Sequence, residues 1–230
     1  MITCSICGNE NGDFDVVCSS CKSFLQSKVD NLNLFEMLWA LIESPRLAFK
    51  RIVLSHHKNY VLLLSSLFGI SLAYMLFWYK SLGSLFSNVL TILGVGLLIG
   101  PPLGILFVLG FSYLDLLVAR TLGGSATFWN TFAVVAYAGL PIILSLVFVF
   151  PIEIALFGRD FFGTNPPPIV MKPIAYVALI GFDLIAVIWT WLLLGTGTMV
   201  VNGFKRTKSI LVTLALLIVT GIPALALRYV

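Results

Sequence analysis

Residues 60–79 form a run of twenty without a single charge. A helix needs roughly 20 apolar residues to cross a hydrocarbon core of about 30 Å. Inside that medium a spanning segment must satisfy its own backbone hydrogen bonds. Runs of this kind recur along the chain. A second extends over 81–114 and continues past Asp115 to Ala119, a third covers about 128–150, a fourth about 174–194 and a fifth about 210–227. Composition agrees: 59% of the 230 residues are hydrophobic and 10% are charged, where a soluble domain carries about 25% charged residues. The expected class is all-α, a polytopic membrane helix bundle of about five spans at 59–230.

The second run is too long for one upright crossing, because a straight helix over it would measure roughly 50 Å. Pro101-Pro102 is expected to break it, since neither residue can donate a helical hydrogen bond. Two layouts follow. One is a single crossing over about 103–119, preceded by a re-entrant or surface segment. The other is a tight hairpin of two spans. Basic residues arbitrate, because short cytoplasmic loops are enriched in Lys and Arg. With five spans and a cytoplasmic N-terminus, ten basic residues lie inside and four outside. A sixth span would export the Lys205-Arg206-Lys208 cluster. The five-span layout is therefore preferred, with the N-terminus cytoplasmic and the C-terminus outside. A polar, proline-rich loop is expected over 151–173.

The net charge of +4 reads as topology, because the basic residues border the spans; no nucleic-acid partner is expected. Residues 31–58 carry apolar residues at helical spacing (Leu34, Phe35, Leu38, Trp39, Ile42). A restart follows at Ser44-Pro45, with Ser44 as N-cap. Ala48, Phe49, Ile52 and Val53 share one face of the second helix, and Arg46, Lys50 and Arg51 lie largely off it. These are expected to be amphipathic helices in the headgroup region. His56-His57 has no metal-ligand spacing and reads as a solvated part of this segment.

The first thirty residues are polar and lack the basic start and apolar stretch of a secretory signal. They hold Cys4-Ser-Ile-Cys7 and Cys18-Ser-Ser-Cys21. Two such pairs can wrap two knuckles around one Zn²⁺, with Cys4, Cys7, Cys18 and Cys21 as tetrahedral ligands. So short a polar segment cannot bury a core, so the metal would supply its folding energy. Redox dithiols and disulfides are the competing readings; the reducing cytoplasm and the lack of a thioredoxin-like pattern disfavour both. The expectation is a structural Cys4 zinc ribbon at 1–30, cytoplasmic and closed to catalysis.

Two acids interrupt the apolar runs. Asp183 falls near the middle of the fourth span, where a charge is costly and needs a partner or a water-filled cavity. It is either a solute, proton or partner site, or a hydrogen-bonded acid that locks helices together. Asp115 is expected to be structural, snorkelling outward or approaching Arg120. The sequence contains no His-Glu-x-x-His and no Gly-x-Ser-x-Gly, so no enzyme is expected.

Three blocks of the membrane region resemble the Yip (Ypt-interacting-protein) family, particularly its prokaryotic branch. The first is Ser44-Pro45 with Ala48-Phe49. The second is Ala119-Arg120-Thr121-Leu122-Gly123-Gly124, leading to Thr131-Phe132 and Tyr137-Ala138-Gly139-Leu140-Pro141. The third is Phe182-Asp183-Leu184, Trp189 and Gly195. The resemblance covers roughly 34–227 and implies a five-helix membrane domain with a cytoplasmic N-terminus. Prokaryotic members often carry an N-terminal zinc ribbon, and residues 1–25 are similar to one. Eukaryotic relatives bind small GTPases, but the Asp-Leu-Tyr-Gly-Pro motif of those relatives is missing here. Some bacterial relatives accompany ABC-type exporters. The function expected is a non-enzymatic adaptor or accessory subunit of a bacterial cytoplasmic membrane. Its partners would be the lipid bilayer and either another membrane protein, such as an ABC-type exporter, or a second copy. The alternative is a transporter or lipid-handling protein that uses Asp183 and a broken helix at Pro101-Pro102.

The charge asymmetry predicts which loops face the cytoplasm. Single cysteines beside Lys80 and Arg159, in a chain stripped of its native four, should react with an impermeant thiol reagent from outside. Those beside Arg120 and Lys205 should react only after permeabilisation. External labelling at Lys205 would overturn the five-span layout.

Overall fold

The computed structural model describes residues 2–12, 14–27 and 31–226, the last five of these by backbone alone. It begins with a two-stranded antiparallel ribbon, β1 (Ile2–Thr3) and β2 (Glu10–Asn11), with Ile2 opposite Asn11. Everything from residue 34 onward is built from helices. Helix α1 (Leu34–Glu43) starts at Asn33, whose side chain accepts the Phe35 N–H. Helix α2 (Pro45–Leu54) restarts at Ser44-Pro45 as expected, but Ser44 makes no side-chain cap bond.

The apolar face of α2 is the expected one, with Ala48, Phe49, Ile52 and Val53 buried. It faces the helix bundle: the Phe49 ring lies against Gly197. Helix α1 divides differently. Met37 and Leu41 are buried, whereas Phe35, Trp39 and Ile42 point outward. Its outward face is therefore apolar. An exposed Arg51–Glu36 ion pair of 2.7 Å ties the two helices together.

Helix α3 (Val61–Tyr79) covers the first expected span. Helix α4 (Val89–Thr121) corrects the second. It runs for 33 residues straight through Pro101 and Pro102, so there is neither a hairpin nor a re-entrant segment. Proline's fixed φ is a helical one. Each proline removes a single donor while the bonds on either side persist, and spanning helices tolerate this. At about 50 Å the helix must tilt or project beyond the hydrocarbon core.

Glycine geometry explains how α3 holds α4. A Cβ on Gly69 would collide with the Gly100 carbonyl and the backbone of Gly104, and one on Gly104 with the Ser65 carbonyl. The two backbones touch there, as small residues permit between membrane helices. Gly96 accepts the Tyr74 ring, whereas Gly94 faces open space.

The third expected span is α5 (Phe128–Ala138), α6 (Leu140–Phe148) and α7 (Phe150–Phe157) in succession. Each junction lies one or two residues before a proline, Pro141 or Pro151, but Gly139 and Val149 keep right-handed helical dihedrals. The chain therefore changes direction without leaving the helical path. This corrects the loop expected over 151–173: its first part is α7, followed by a 3₁₀ turn (Gly158–Phe162) and the short α8 (Pro168–Met171). Helix α9 (Pro173–Asn202) outlasts its expected end at 194, and the glycines beyond that point are packing sites. Gly197 admits Val134 and Phe49, and the helix ends at Gly203 with φ +64°. Helix α10 (Arg206–Ala226) covers the fifth expected run, except for residue 227, which lies outside the described residues.

Among the described residues, four helical segments are long and apolar enough to cross a membrane: Val61–Tyr79, Val89–Thr121, Phe128–Phe162 and Pro173–Asn202. Their outward faces are apolar; Leu98, Leu106, Phe182 and Leu192 are all exposed. The polar ends sort into two sets. Lys208 donates to the Leu122 carbonyl at 2.9 Å, joining the 120–124 loop to the start of α10. Arg159 reaches the Phe86 and Ser87 carbonyls at the other end.

The α3–α4 contact predicts a contrast between two glycines of one helix. Gly104→Ala should destabilise the protein in detergent by about 1–3 kcal/mol, the usual cost of overpacking. Gly94→Ala should be neutral or slightly stabilising, since alanine favours helix. Equal melting temperatures for the two variants would refute the backbone contact.

Candidate functional site: a cysteine cluster and buried carboxyls

The cysteine module is two copies of one local shape. In the first knuckle Gly8 N–H donates to the Cys4 carbonyl at 3.0 Å, and Cys4 N–H to the Asn9 carbonyl at 2.9 Å. In the second, Lys22 N–H donates to the Cys18 carbonyl at 3.1 Å, and Cys18 N–H to the Ser23 carbonyl at 2.8 Å. Both require a left-handed residue after the second cysteine, with φ +71° at Gly8 and +59° at Lys22. The sequence offers a glycine at only one of these positions.

The four Sγ atoms lie within 4.8 Å of one another, with Cys4–Cys21 and Cys7–Cys18 each at 3.6 Å. A tetrahedron with metal–sulfur bonds of about 2.3 Å has edges of about 3.8 Å, so the cluster can hold a metal ion. Its surroundings supply donors to sulfur, but not evenly: the Asn9 N–H favours the Cys7 thiolate, yet Cys21, burial and the other two sulfurs push that thiol up to about 11. The Ser23 hydroxyl lies 3.0 Å from both Cys4 and Cys21, and the Asn11 amide donates to Cys18 at 3.6 Å. The Ser23 contact and then the backbone N–H groups of Cys7 and Ile6 bring the Cys4 thiol down to about 6. Asn11 also accepts from Ser19 N–H at 2.9 Å, which joins the two knuckles.

Asp115 is fully buried on α4, where Thr198 of α9 donates to its Oδ2 at 3.2 Å. It does not snorkel, and it does not approach Arg120, which is exposed. Five residues along a helix turn the side chain by about 140°, so one residue faces the bundle when the other faces out. One turn further along α9, Asn202 accepts from Ala126 N–H at 3.2 Å and donates to the Thr198 carbonyl at 3.1 Å. Gly124 sits so close to Asn202 that no Cβ would fit. The Gly123-Gly124 turn is thus docked on α9 by a buried amide.

Asp183 stands on α9 about 15 Å from the start of that helix. The Ser145 hydroxyl of α6 donates to it. Glu153 of α7 lines the same cavity as Asp183. Glu153 is 2% exposed, and its Oε1 has no hydrogen-bond partner. The sequence reading had placed it in an external loop. Only the apolar residues on both sides of it, Phe150-Pro-Ile152 and Ile154-Ala-Leu-Phe157, could have signalled that the span continues. The structure therefore brings Asp183 together with Ser145 and Glu153, and holds Asp115 apart from them on another helix with Thr198.

A model of the Yip1 domain matches residues 39–227. The chain belongs to the Yip family. Neither a curated protein nor a solved structure matches it. The Yip domain takes in α2 through α10 and leaves the cysteine module outside its bounds. The blocks that resembled the family acquire physical roles here. Tyr137 is buried and donates to the Asn59 carbonyl at 2.9 Å, pinning the entry to α3. Gly139 leaves room for the Phe68 ring. Gly195 lets α10 approach, and the Ser209 hydroxyl donates to its carbonyl. This member of the Yip family is a multi-pass membrane protein, and its domain is of a kind not known for enzymatic activity.

The Asp115–Thr198 pair predicts an asymmetric mutational response. Thr198→Val leaves a buried acid without its donor and should cost about 1–3 kcal/mol. Asp115→Asn keeps an acceptor for Thr198 and should cost less. Thermal unfolding of both variants in the same detergent checks this; the reverse order would refute it.

Proposed function

We propose that this protein is a non-enzymatic adaptor or accessory subunit of a bacterial cytoplasmic membrane, and that a zinc-loaded cysteine module engages its partner. The observation that carries this reading is the cysteine cluster. Four sulfur ligands complete a tetrahedral shell and leave no open position for substrate, which is the mark of a structural rather than a catalytic site. All-sulfur tetrahedral ligation favours zinc or iron, and a reducing compartment without a redox partner favours zinc. Zinc bound there would fix the two knuckles and hold their outer surface in shape.

That outer surface is apolar for so small a module. Ile6 and Phe24 are 75% and 68% exposed, an arrangement that suits recognition by another protein. The module faces the cytoplasm in this reading, and the outward residues of α1 rest in the headgroup layer. A membrane partner such as an ABC-type exporter fits the family resemblance, and a second copy of the chain is the other candidate.

Purified protein should contain close to one equivalent of zinc, and replacing all four cysteines with serine should remove it. A photo-crosslinking residue at Ile6 or Phe24 should give one discrete adduct in cells, absent from the serine variant. Mass spectrometry of that adduct identifies an exporter subunit or a second copy. Full zinc content in the serine variant would overturn the metal assignment. Adducts identical in both proteins would overturn the role of the module.

A further inference from the structure

The Asp183–Glu153 pair lies in the wall of a cavity of about 420 Å³ between α3, α4, α6, α7 and α9. That volume is in the usual range for small-molecule sites. The other walls are mainly apolar and strongly aromatic: Tyr74, Trp78, Phe150, Phe161 and Trp191 all contribute. Among the described residues no Lys, Arg or His lines it. The polar atoms of the walls are largely committed. Tyr74 donates to the Leu93 carbonyl at 2.9 Å, Trp78 donates to the Tyr176 hydroxyl at 3.2 Å, and Ser145 is spent on Asp183.

Two carboxyls side by side repel when ionised, and an apolar wall does nothing to relieve them. Glu153 lines the same cavity, and its Oε1 is buried without a hydrogen-bond partner. A basic side chain would have neutralised the pair within the protein, and none of the described residues in the wall supplies one. Aromatic faces attract cations through their quadrupoles, more strongly where water is scarce. Carboxyls for charge and aromatic rings for the hydrocarbon substituents form one chemical description. A small metal ion would find oxygen ligands on one side only, with rings on the others.

We propose that this cavity is a binding site for an organic cation, an ammonium-type group carried by an apolar body, with Glu153 and Asp183 as its counter-charges. The site is separate from the cysteine module and does not depend on the adaptor reading. The ammonium group can belong to a lipid headgroup or to a free amphipathic amine.

Radiolabelled tetraphenylphosphonium, a permanent hydrophobic cation, serves as the probe for the full chain in dodecyl maltoside. Saturable binding of about one equivalent is expected. The double variant Glu153→Gln/Asp183→Asn keeps the shape and removes the charge, and should bind at least tenfold more weakly. Leu72→Trp, which fills the cavity from α3 and leaves both acids in place, should also lose binding and covers the case in which the double variant fails to fold. Competition separates the two sources. Displacement by dihexanoylphosphatidylethanolamine but not by dihexanoylphosphatidylglycerol assigns the site to a headgroup amine; displacement by neither assigns it to a free organic cation. Absence of saturable binding to the wild type overturns the proposal, leaving only a proton or water for the pair. So does undiminished binding in Leu72→Trp or in a folded double variant.

Discussion

The backbone contact between Gly69 of α3 and Gly100 and Gly104 of α4 is the constraint on which the membrane domain turns. Lipid tails are as apolar as leucine, so helices in a membrane gain little by hiding leucines from them. They gain by fitting closely. At this crossing no side chain intervenes, and the position of α3 along α4 is fixed. It places Tyr74 over Gly96 and within reach of the Leu93 carbonyl. Tyr74 in turn stacks on Phe150 at a centroid distance of 4.4 Å, which brings the α6–α7 junction, and with it Glu153, to the bundle. The aromatic cavity is thus a downstream consequence of three glycines.

Much of this architecture was legible in the sequence, because charge-free length and the 3.6-residue period are strong signals. The first span, the buried face of α2 and the cysteine knuckles lie where those signals put them. The misreadings share a cause. Pro101-Pro102 and Pro151 are punctuation in water, where a broken helix can hydrate its free carbonyls. Inside a bilayer such hydration is not on offer, so the chain stays helical through them. Glu153 falls within the proline-rich loop expected over 151–173 for the same reason. The Asp115–Thr198 bond joins positions 83 residues apart in the chain, and no local pattern encodes that pairing.

The cysteine module follows a separate logic. Its two strands are two residues each, too short to hold together through their own ladder. The repeated knuckle supplies the remaining order, by presenting N–H groups and the Ser23 hydroxyl to sulfur. Such an arrangement is expensive if the thiols stay empty and protonated, since the donors then lack their strongest acceptors. The local backbone, including a lysine held at positive φ, therefore gathers four sulfurs at distances that could hold a metal ion.

The two intramembrane acid sites make the final contrast, and it is one of environment rather than residue type. Asp115 is fully buried and bridges from α4 to α9 through a threonine donor, although its other oxygen has no partner; it has the surroundings of a helix lock. Asp183 also has a hydroxyl donor, and by that criterion alone would be another lock. What separates them is the second carboxyl and the space in front of it. A lock needs one acid, and a second beside it works against the packing it should stabilise. Glu153 could have been a glutamine at no cost in shape and with less repulsion. A structure that keeps both acids against aromatic walls, and keeps the intervening volume open, has an arrangement that only a positive group, or a proton, resolves.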